Sequence, residues 1–599
     1  MSEPNTTPAV FQATAAIDPD AVAVRSIGGA TSLTWRDYAA QVRQVAAGLA
    51  ALGVGRGDTV AFMMANRVEF YPLEVGAQHT GATSFSVYNT LSAEQLQYVF
   101  GNAGNRVVMC EAQYVERIRA CGVPMQTIVC VDSPVPGTLS VAQLKQFGRS
   151  DFDFDATWQS VTAEDIVTLC YTSGTTGNPK GVEISHASLA FECRAYASVM
   201  PVEFGDRITS FLPTAHMADR VTGLYLHEYF GTQITVVPDR TQLGAALADV
   251  HPTIWGAVPR VWEKLKAAVE YSVAAETDPT RAAALRWALE VAGRKAAAQL
   301  AGTPVDDGLA AEWARADAAI LGALRTKLGL DQLKWALSGA APIPPETLGF
   351  FFGLGIPISE VWGMSELTCI VSVAPPAQAR LGTVGRLLPG LESKIAEDGE
   401  FLVRGPLVMR EYRKEPQKTA DALDTDGWLA TGDIITQRRR RLPAGGGPQE
   451  GVDHQLRRKE HVPGQYREHH QSRRPAHRRV GHHRRQPRLQ HRPDRPRRRI
   501  RAALRRPARA TRRLGRRPGR DKTVIADIAR GIAAGNAKLS RVEQIKRFTI
   551  LPTFWEPGGD EITLTMKLRR KPIAEKYATD IDRMYAAELA EGVHEPGSA

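Results

Sequence analysis

The sequence predicts an α/β protein: a large multi-sheet N-terminal domain, then a small α+β C-terminal domain interrupted by an Arg-rich segment. Three observations predict it. The chain has 599 residues, too many for one ordinary core. Up to about residue 437, apolar β-rich runs alternate with Ala/Leu-rich stretches, the pattern of mostly parallel sheets covered by helices. Composition then breaks sharply over residues 438–520 and returns to normal over 521–599.

Taken in order, Met1 to Asp20 is polar and Ala-rich, with no basic flank or apolar stretch of a signal peptide. Strands are expected at Thr59–Met64, Ile166–Tyr171, Gln233–Val237 and Trp335–Leu337, and helices at Ala187–Met200 and Ala282–Leu300. The longest apolar run, Leu348 to Ile358, is short and broken by glycines, far from the length that spans a bilayer. Six scattered cysteines form no CxxC pair and read as buried, reduced thiols of a cytoplasmic protein. Past residue 520 come a helix at Val524–Ala533, a strand at Phe548–Leu551, a basic run and a terminal helix.

The segment from Arg438 to Arg520 holds 29 Lys+Arg against 5 Asp+Glu, a net of +24, whereas the rest of the chain nets −13. It has no Phe, Trp, Met or Asn, and 28 of its 29 basic residues are Arg. Such a stretch buries too little apolar surface to offset its ordering entropy, so disorder is expected. It would bind polyanions non-specifically, but it lacks interleaved aromatics for base stacking, so no specific nucleic-acid partner is expected.

The strongest chemical signal is Tyr171-Thr172-Ser173-Gly174-Thr175-Thr176-Gly177-Asn178-Pro179-Lys180-Gly181, between a strand and a helix. Small hydroxylated residues and glycines bring backbone N–H groups and hydroxyls close to phosphate oxygens, and Lys180 adds a charge. The order Pro-Lys-Gly separates it from the P-loop.

This loop resembles the phosphate-binding signature of the adenylate-forming superfamily: acyl-CoA synthetases, luciferase-like enzymes and peptide-synthetase adenylation domains. Further matches follow in the family's order. Ser338-Gly339-Ala340-Ala341-Pro342 resembles the adenine-contacting turn, Trp362-Gly363-Met364-Ser365-Glu366 the YGMTE motif, and Thr431-Gly432-Asp433 the ribose-binding TGD. Pro213-Thr214-Ala215-His216-Met217-Ala218-Asp219-Arg220 and Val258-Pro259-Arg260-Val261-Trp262-Glu263-Lys264 resemble segments of the long-chain fatty acyl-CoA branch. Thr565-Met566-Lys567-Leu568-Arg569-Arg570 resembles that branch's C-terminal lysine motif. The likeness covers about Trp35 to Tyr577, apart from the basic segment.

The resemblance implies an N-terminal adenylation domain (1–437) and a C-terminal lid (521–599), with ATP, Mg²⁺, CoA and a fatty acid as the small-molecule partners. The phosphates would lie on Thr172, Ser173, Gly174, Thr175, Thr176, Gly177 and Lys180. The nucleoside would lie on Gly339, Ala340, Trp362, Gly363, Ser365 and Asp433, with Trp362 against adenine where the family usually has Tyr. Glu366 is the implied Mg²⁺ ligand, since carboxylate oxygen suits that ion. Lys567 would bridge the carboxylate and the α-phosphate. His216 would help to place the acyl carboxylate, and a purely structural role for it stays open. CoA and a carrier protein both stay open as acyl acceptors. A long-chain acid comes from a membrane or a carrier, which leaves peripheral membrane attachment open.

One departure stands out. After Asp433 the family continues with a strand, an Asp-Arg-Lys-Lys-type hinge and a glycine-lysine loop that serves thioester formation; none is readable here. The Arg-rich composition is what GC-rich coding DNA gives out of frame. Codons for Arg438 to Gly451 can be chosen so that reading one base later gives DADGYLRVVDRKKE. Codons for Val452 to His470 can likewise yield STINSAGKNMSPANIENT. These strings hold the hinge and the loop in the family's order, so a frameshift is expected, with a second shift near Arg520.

Overall fold

A computed structural model describes residues 4–172, 178–301, 303–375, 383–438, 455–459, 522–537, 544–553, 555, 559–562, 570–585 and 588–596. The chain divides into two compact units, residues 1–262 with 277–463, and residues 263–276 with 464–599.

The first unit is built on a seven-stranded sheet, in the order Leu139–Ser140, Thr127–Cys130, Val107–Cys110, Thr59–Met63, Thr83–Ser86, Ile166–Thr172 and Lys180–Ser185. All neighbours are parallel except the last pair, which is antiparallel. The continuous apolar runs explain this: Thr59–Met63 and Val107–Cys110 are buried at every position, as strands covered on both faces must be. A second sheet orders Arg207–Ser210, Gln233–Val236, Val22–Ser26 and Ser32–Thr34, and a third, fully parallel one orders Ile254–Ala257, Trp335–Ser338 and Ile358–Glu360. An antiparallel sheet holds Glu392–Ile395, Glu400–Arg404, Leu429–Arg438 and Gln455–Lys459.

Helix ends follow local chemistry. Ser92 and Gln95 close a capping box at the start of helix Ala93–Ala103, as do Thr34 and Asp37 at the start of Trp35–Ala51. The predicted helix over 282–300 is Pro279–Ala301, and that over 187–200 is His186–Val199. No described helix is long and apolar enough to cross a membrane. The six cysteines are unbridged; five are buried and Cys369 is partly so.

Two of the motif segments turn out to anchor the fold. Arg220 is 1% exposed and pairs with the equally buried Glu74, while Tyr225 Oη lies 3.1 Å from its guanidinium. Trp262 is fully buried, and its indole N–H donates to the Leu337 carbonyl at 3.0 Å, at the end of strand Trp335–Ser338.

Within the Arg-rich stretch one element is described: Gln455–Lys459 pairs antiparallel with Ile434–Arg438. Strand pairing runs through backbone groups, which every non-proline residue supplies whatever its side chain.

In the second unit, helix Lys522–Asn536 carries Ile528 and Ala529, which pack on Phe548. Phe548–Thr549 pairs antiparallel with Val593–His594. A second small cluster joins Trp555, Ile562 and Ile573, and the Trp555 indole donates to Tyr577 Oη at 3.0 Å.

Candidate active site

Of the predicted site residues of the first unit, Thr172, Gly339 and Ala340 lie at or just past the ends of strands Ile166–Thr172 and Trp335–Ser338, Trp362 to Glu366 follow strand Ile358–Glu360, and Asp433 lies within strand Leu429–Arg438. In parallel α/β sheets, the crevice beyond the carboxyl ends is where ligands bind.

Thr172 and Lys180 face each other in the antiparallel register that closes the phosphate-type loop. Residues 173–177 and Lys567 lie outside the described residues. The backbone of 410–413 runs beside the start of strand Lys180–Ser185: Arg413 N–H donates to the Gly181 carbonyl at 2.8 Å, and Val182 bridges Tyr412. This places the Tyr412 ring under Lys180, whose Nζ stands 3.9 Å from the ring centroid. The Tyr412 hydroxyl donates to Glu366 Oε1 at 2.8 Å. Glu366 is 8% exposed and Tyr412 2%, so a near-buried carboxylate is held by a buried phenol.

The turn that carries Glu366 can form only with its glycine. A Cβ on Gly363 would stand 1.6 Å from the Cys369 carbonyl oxygen. Ser365 Oγ accepts from the Cys170 thiol at 3.4 Å, which ties the turn to the strand before the phosphate-type loop. Burial pushes the Cys170 thiol pKa up, so this sulfur stays protonated. Behind the turn, fully buried Glu192 accepts from the Ile370 N–H at 2.7 Å.

In the turn after strand Trp335–Ser338, a Cβ on Gly339 would come within 2.6 Å of Val361 Cγ2, and Ala340 adopts φ +68°. A left-handed alanine costs roughly 1 kcal/mol or more, strain of the kind that clusters at functional sites. Trp362 is 3% exposed and packs edge to face on Phe401, at 5.3 Å between centroids. Its indole N–H donates to Asp433 Oδ2 at 2.7 Å. Asp433 N–H also donates to Thr431 Oγ1 at 3.2 Å, and the Thr431 hydroxyl donates to the Phe401 carbonyl at 2.6 Å. Motifs 71 residues apart thus share one hydrogen bond.

His216 is half-buried and heads the short turn Met217–Asp219, its Nδ1 accepting from Ala218 N–H at 3.1 Å, which puts the ring proton on Nε2. Its neighbour Ala215 approaches the site through its carbonyl, 3.9 Å from the Cys170 sulfur. Nearby, Asp219 accepts from Ser210 Oγ at 3.1 Å, and burial pushes its carboxyl up to about 7.

Among the described residues, no cluster of three or more His, Cys, Asp or Glu side chains could hold a metal by itself. Mg²⁺ rarely needs one: it keeps several waters and takes one or two carboxylates plus substrate phosphates. The near-buried Glu366 carboxylate is a single oxygen donor of the kind that fits it.

Sequence reading missed Tyr412 and Cys170. Neither lies at a motif position that names a chemistry; only their contacts with Glu366 and Ser365, 46 and 195 residues away, mark them.

Residues 11–413 match the family model described as AMP-binding enzyme. The chain is 54% identical over 494 residues to the putative fatty-acid–CoA ligase FadD11 of Mycobacterium tuberculosis (strain H37Rv), covering 77% of this chain and 81% of that one. It is 29% identical over 624 residues to that organism's long-chain-fatty-acid–CoA ligase FadD15, covering 95% of each. The fold is similar to the N-terminal domain of FACL13 from M. tuberculosis, with a TM-score of 0.57 at 22% identity over 76% of this chain and all of that one. With its phosphate-type loop, Trp-Gly-Met-Ser-Glu turn and Thr-Gly-Asp strand in one body, the chain belongs to the AMP-binding, adenylate-forming enzyme family.

Proposed function

We propose that the chain activates a long-chain fatty acid with ATP, forming acyl-AMP and pyrophosphate, and that CoA is the acyl acceptor of this enzyme type. The reading is supported by two contacts across distant segments: Tyr412 meets both Lys180 and Glu366, and Asp433 accepts from Trp362, four residues before Glu366. The names of FadD11 and FadD15 supply the acid and the thiol.

In the reaction, a carboxylate oxygen attacks the α-phosphorus and pyrophosphate leaves. Two anions must meet, so fixed positive charge is needed where charge develops. Lys180 and the loop 173–177 hold the phosphates, Asp433 accepts from the ribose hydroxyls, and Gly339, Ala340, Trp362, Gly363 and Ser365 wall the adenosine. His216 positions the acyl carboxylate, and Lys567 bridges it to the α-phosphate. Mg²⁺ bound at Glu366 would supply charge neutralisation on the phosphate oxygens.

The thioester step in this family also uses the hinge and the glycine-lysine loop. Neither is readable in residues 438–520, so acyl-CoA formation by this chain is weak. The test is product analysis by mass spectrometry with palmitate, ATP and Mg²⁺, adding CoA or an acyl carrier protein. Acyl-AMP with little acyl-CoA is the expected result. Robust acyl-CoA from protein of verified mass overturns the weakened step, transfer to the carrier alone replaces CoA as acceptor, and no adduct with any fatty acid overturns the whole reading.

A further inference from the structure

We infer that Tyr412 is a positioning residue for the metal-nucleotide, keeping Lys180 and Glu366 apart and each aimed at its own ligand. The inference rests on the adenylation reading above and adds to it a residue outside every motif.

The geometry is one ring with two neighbours, Lys180 over its face and Glu366 at its hydroxyl edge. The Lys180 ammonium lies 3.9 Å from the centre of the Tyr412 ring, within the range of a cation–π contact. The hydroxyl of the same ring donates to Glu366 Oε1 at 2.8 Å. An ammonium and a near-buried carboxylate in one small space attract strongly, and the attraction grows as water is excluded. A direct Lys180–Glu366 ion pair would cancel the charge meant for phosphate oxygens and occupy the carboxylate meant for a cation. The ring between them prevents this contact: its face satisfies the cation and its hydroxyl satisfies one carboxylate oxygen.

The mounting of Tyr412 is rigid enough for that task. Its backbone N–H donates to Thr419 Oγ1 at 2.9 Å. On one side Arg410 N–H donates to the Glu183 carbonyl at 3.0 Å, and on the other Arg413 N–H donates to the Gly181 carbonyl at 2.8 Å. The Arg413 guanidinium also meets Glu183 Oε1 at 3.1 Å. Met409 N–H donates to the Glu366 carbonyl at 2.8 Å, so the segment that carries Tyr412 holds the Glu366 backbone as well as its side chain. A hydroxyl donor also has a directional effect: with Oε1 accepting from phenol, Oε2 is the oxygen left to face a cation.

Two variants separate the hydroxyl from the ring. Tyr412→Phe keeps the face under Lys180 and removes the donor; Tyr412→Leu removes both. The readouts are binding of Mn²⁺·ATP by electron paramagnetic resonance, binding of metal-free ATP in EDTA by calorimetry, and the Mg²⁺ concentration for half-maximal acyl-AMP formation. For Tyr412→Phe the expected result is about tenfold weaker Mn²⁺·ATP binding and a similar rise in the Mg²⁺ requirement, with metal-free ATP binding within twofold of the parent. For Tyr412→Leu both forms of ATP bind more weakly, because Lys180 is then free to pair with Glu366. An unchanged metal dependence in Tyr412→Phe overturns the inference. So does an equal loss of metal-free and metal-loaded binding in Tyr412→Phe accompanied by a lower melting temperature, the mark of a merely structural tyrosine. If the parent chain binds no Mn²⁺·ATP at all, the adenylation reading falls and this inference with it.

Discussion

The described residues of the two compact units hold very different amounts of core. Those of the first hold a large apolar cluster that runs from Phe11 to Leu429, with Trp35, Tyr38, Phe62 and Tyr196 fully buried, and another around Phe85 and Phe100. The described residues of the second hold two clusters of three buried side chains each, around Ile528 and around Trp555. The sequence of residues 438–520 contains no Phe, Trp or Met. The difference teaches where precise geometry can be kept. Glu366 sits in the short turn Ser365–Leu367, Asp433 within strand Leu429–Arg438 and Lys180 at the start of strand Lys180–Ser185, all in a packed body where rotamers are locked and distances are set by many contacts.

The largest loss of stability is expected at the buried Arg220–Glu74 ion pair of the first unit. Arg220→Met leaves the Glu74 carboxylate without its countercharge, which costs about 3–5 kcal/mol. Urea denaturation of the variant checks this, and Glu74→Gln combined with Arg220→Met recovers most of the loss because no charge is then buried. Next is the chemistry. Glu366→Gln lowers the acyl-AMP rate by about 10²–10³-fold, the scale for removing one preorganised electrostatic group, while the melting temperature changes little.

A smaller effect is a pH dependence. Burial lowers the His186 pKa to about 3, and its Nδ1 accepts from Thr7 N–H at 3.1 Å. The folded value lies below the unfolded value of about 6.5, so the folded state refuses a proton that the unfolded chain takes up. Stability from this residue is intact above about pH 6.5 and falls by about 1.4 kcal/mol per pH unit below it, until the folded pKa is reached. Denaturation of His186→Gln between pH 6.5 and 4.5 should show a slope shallower than the parent's by that amount. The smallest effect sharpens the nucleoside side: Trp362→Phe keeps the ring and loses the bond to Asp433, weakening ATP by about 1 kcal/mol or roughly fivefold, read by calorimetry.

The candidate site residues were nameable from the sequence because the Thr-Ser-Gly-rich loop, the Trp-Gly-Met-Ser-Glu turn and the Thr-Gly-Asp tripeptide are contiguous motifs. Strands such as Ile166–Thr172 and Trp335–Ser338 were legible because parallel strands buried on both faces are apolar throughout. What stayed hidden was pairing at a distance. No local pattern says that Trp362 donates to Asp433, or that Tyr412 returns along Lys180–Ser185 to reach Glu366. Arg220 and Trp262 were legible as parts of family-like segments, but their work for the fold became visible only in the partners Glu74 and Leu337. Strand Gln455–Lys459 was hidden for a different reason: its side chains carry no strand signal, and only backbone pairing makes it.

The frame of residues 438–520 bears directly on the contrast between the units. If the coding DNA from codon 425 to codon 530 carries an extra base near codon 438 and a lost one near codon 520, the native chain has its hinge and loop. The corrected chain then makes acyl-CoA at a normal rate, while its acyl-AMP step changes far less.

Whether the first unit assembles a working ATP site around Lys180, Glu366 and Asp433 is decided by palmitate-dependent exchange of labelled pyrophosphate into ATP, without CoA, in the full chain and in its Glu366→Gln variant. Exchange that requires both palmitate and Mg²⁺ and falls at least a hundredfold in the variant is the expected result. Equal exchange in the two proteins, or none in the parent chain with any fatty acid, would contradict it.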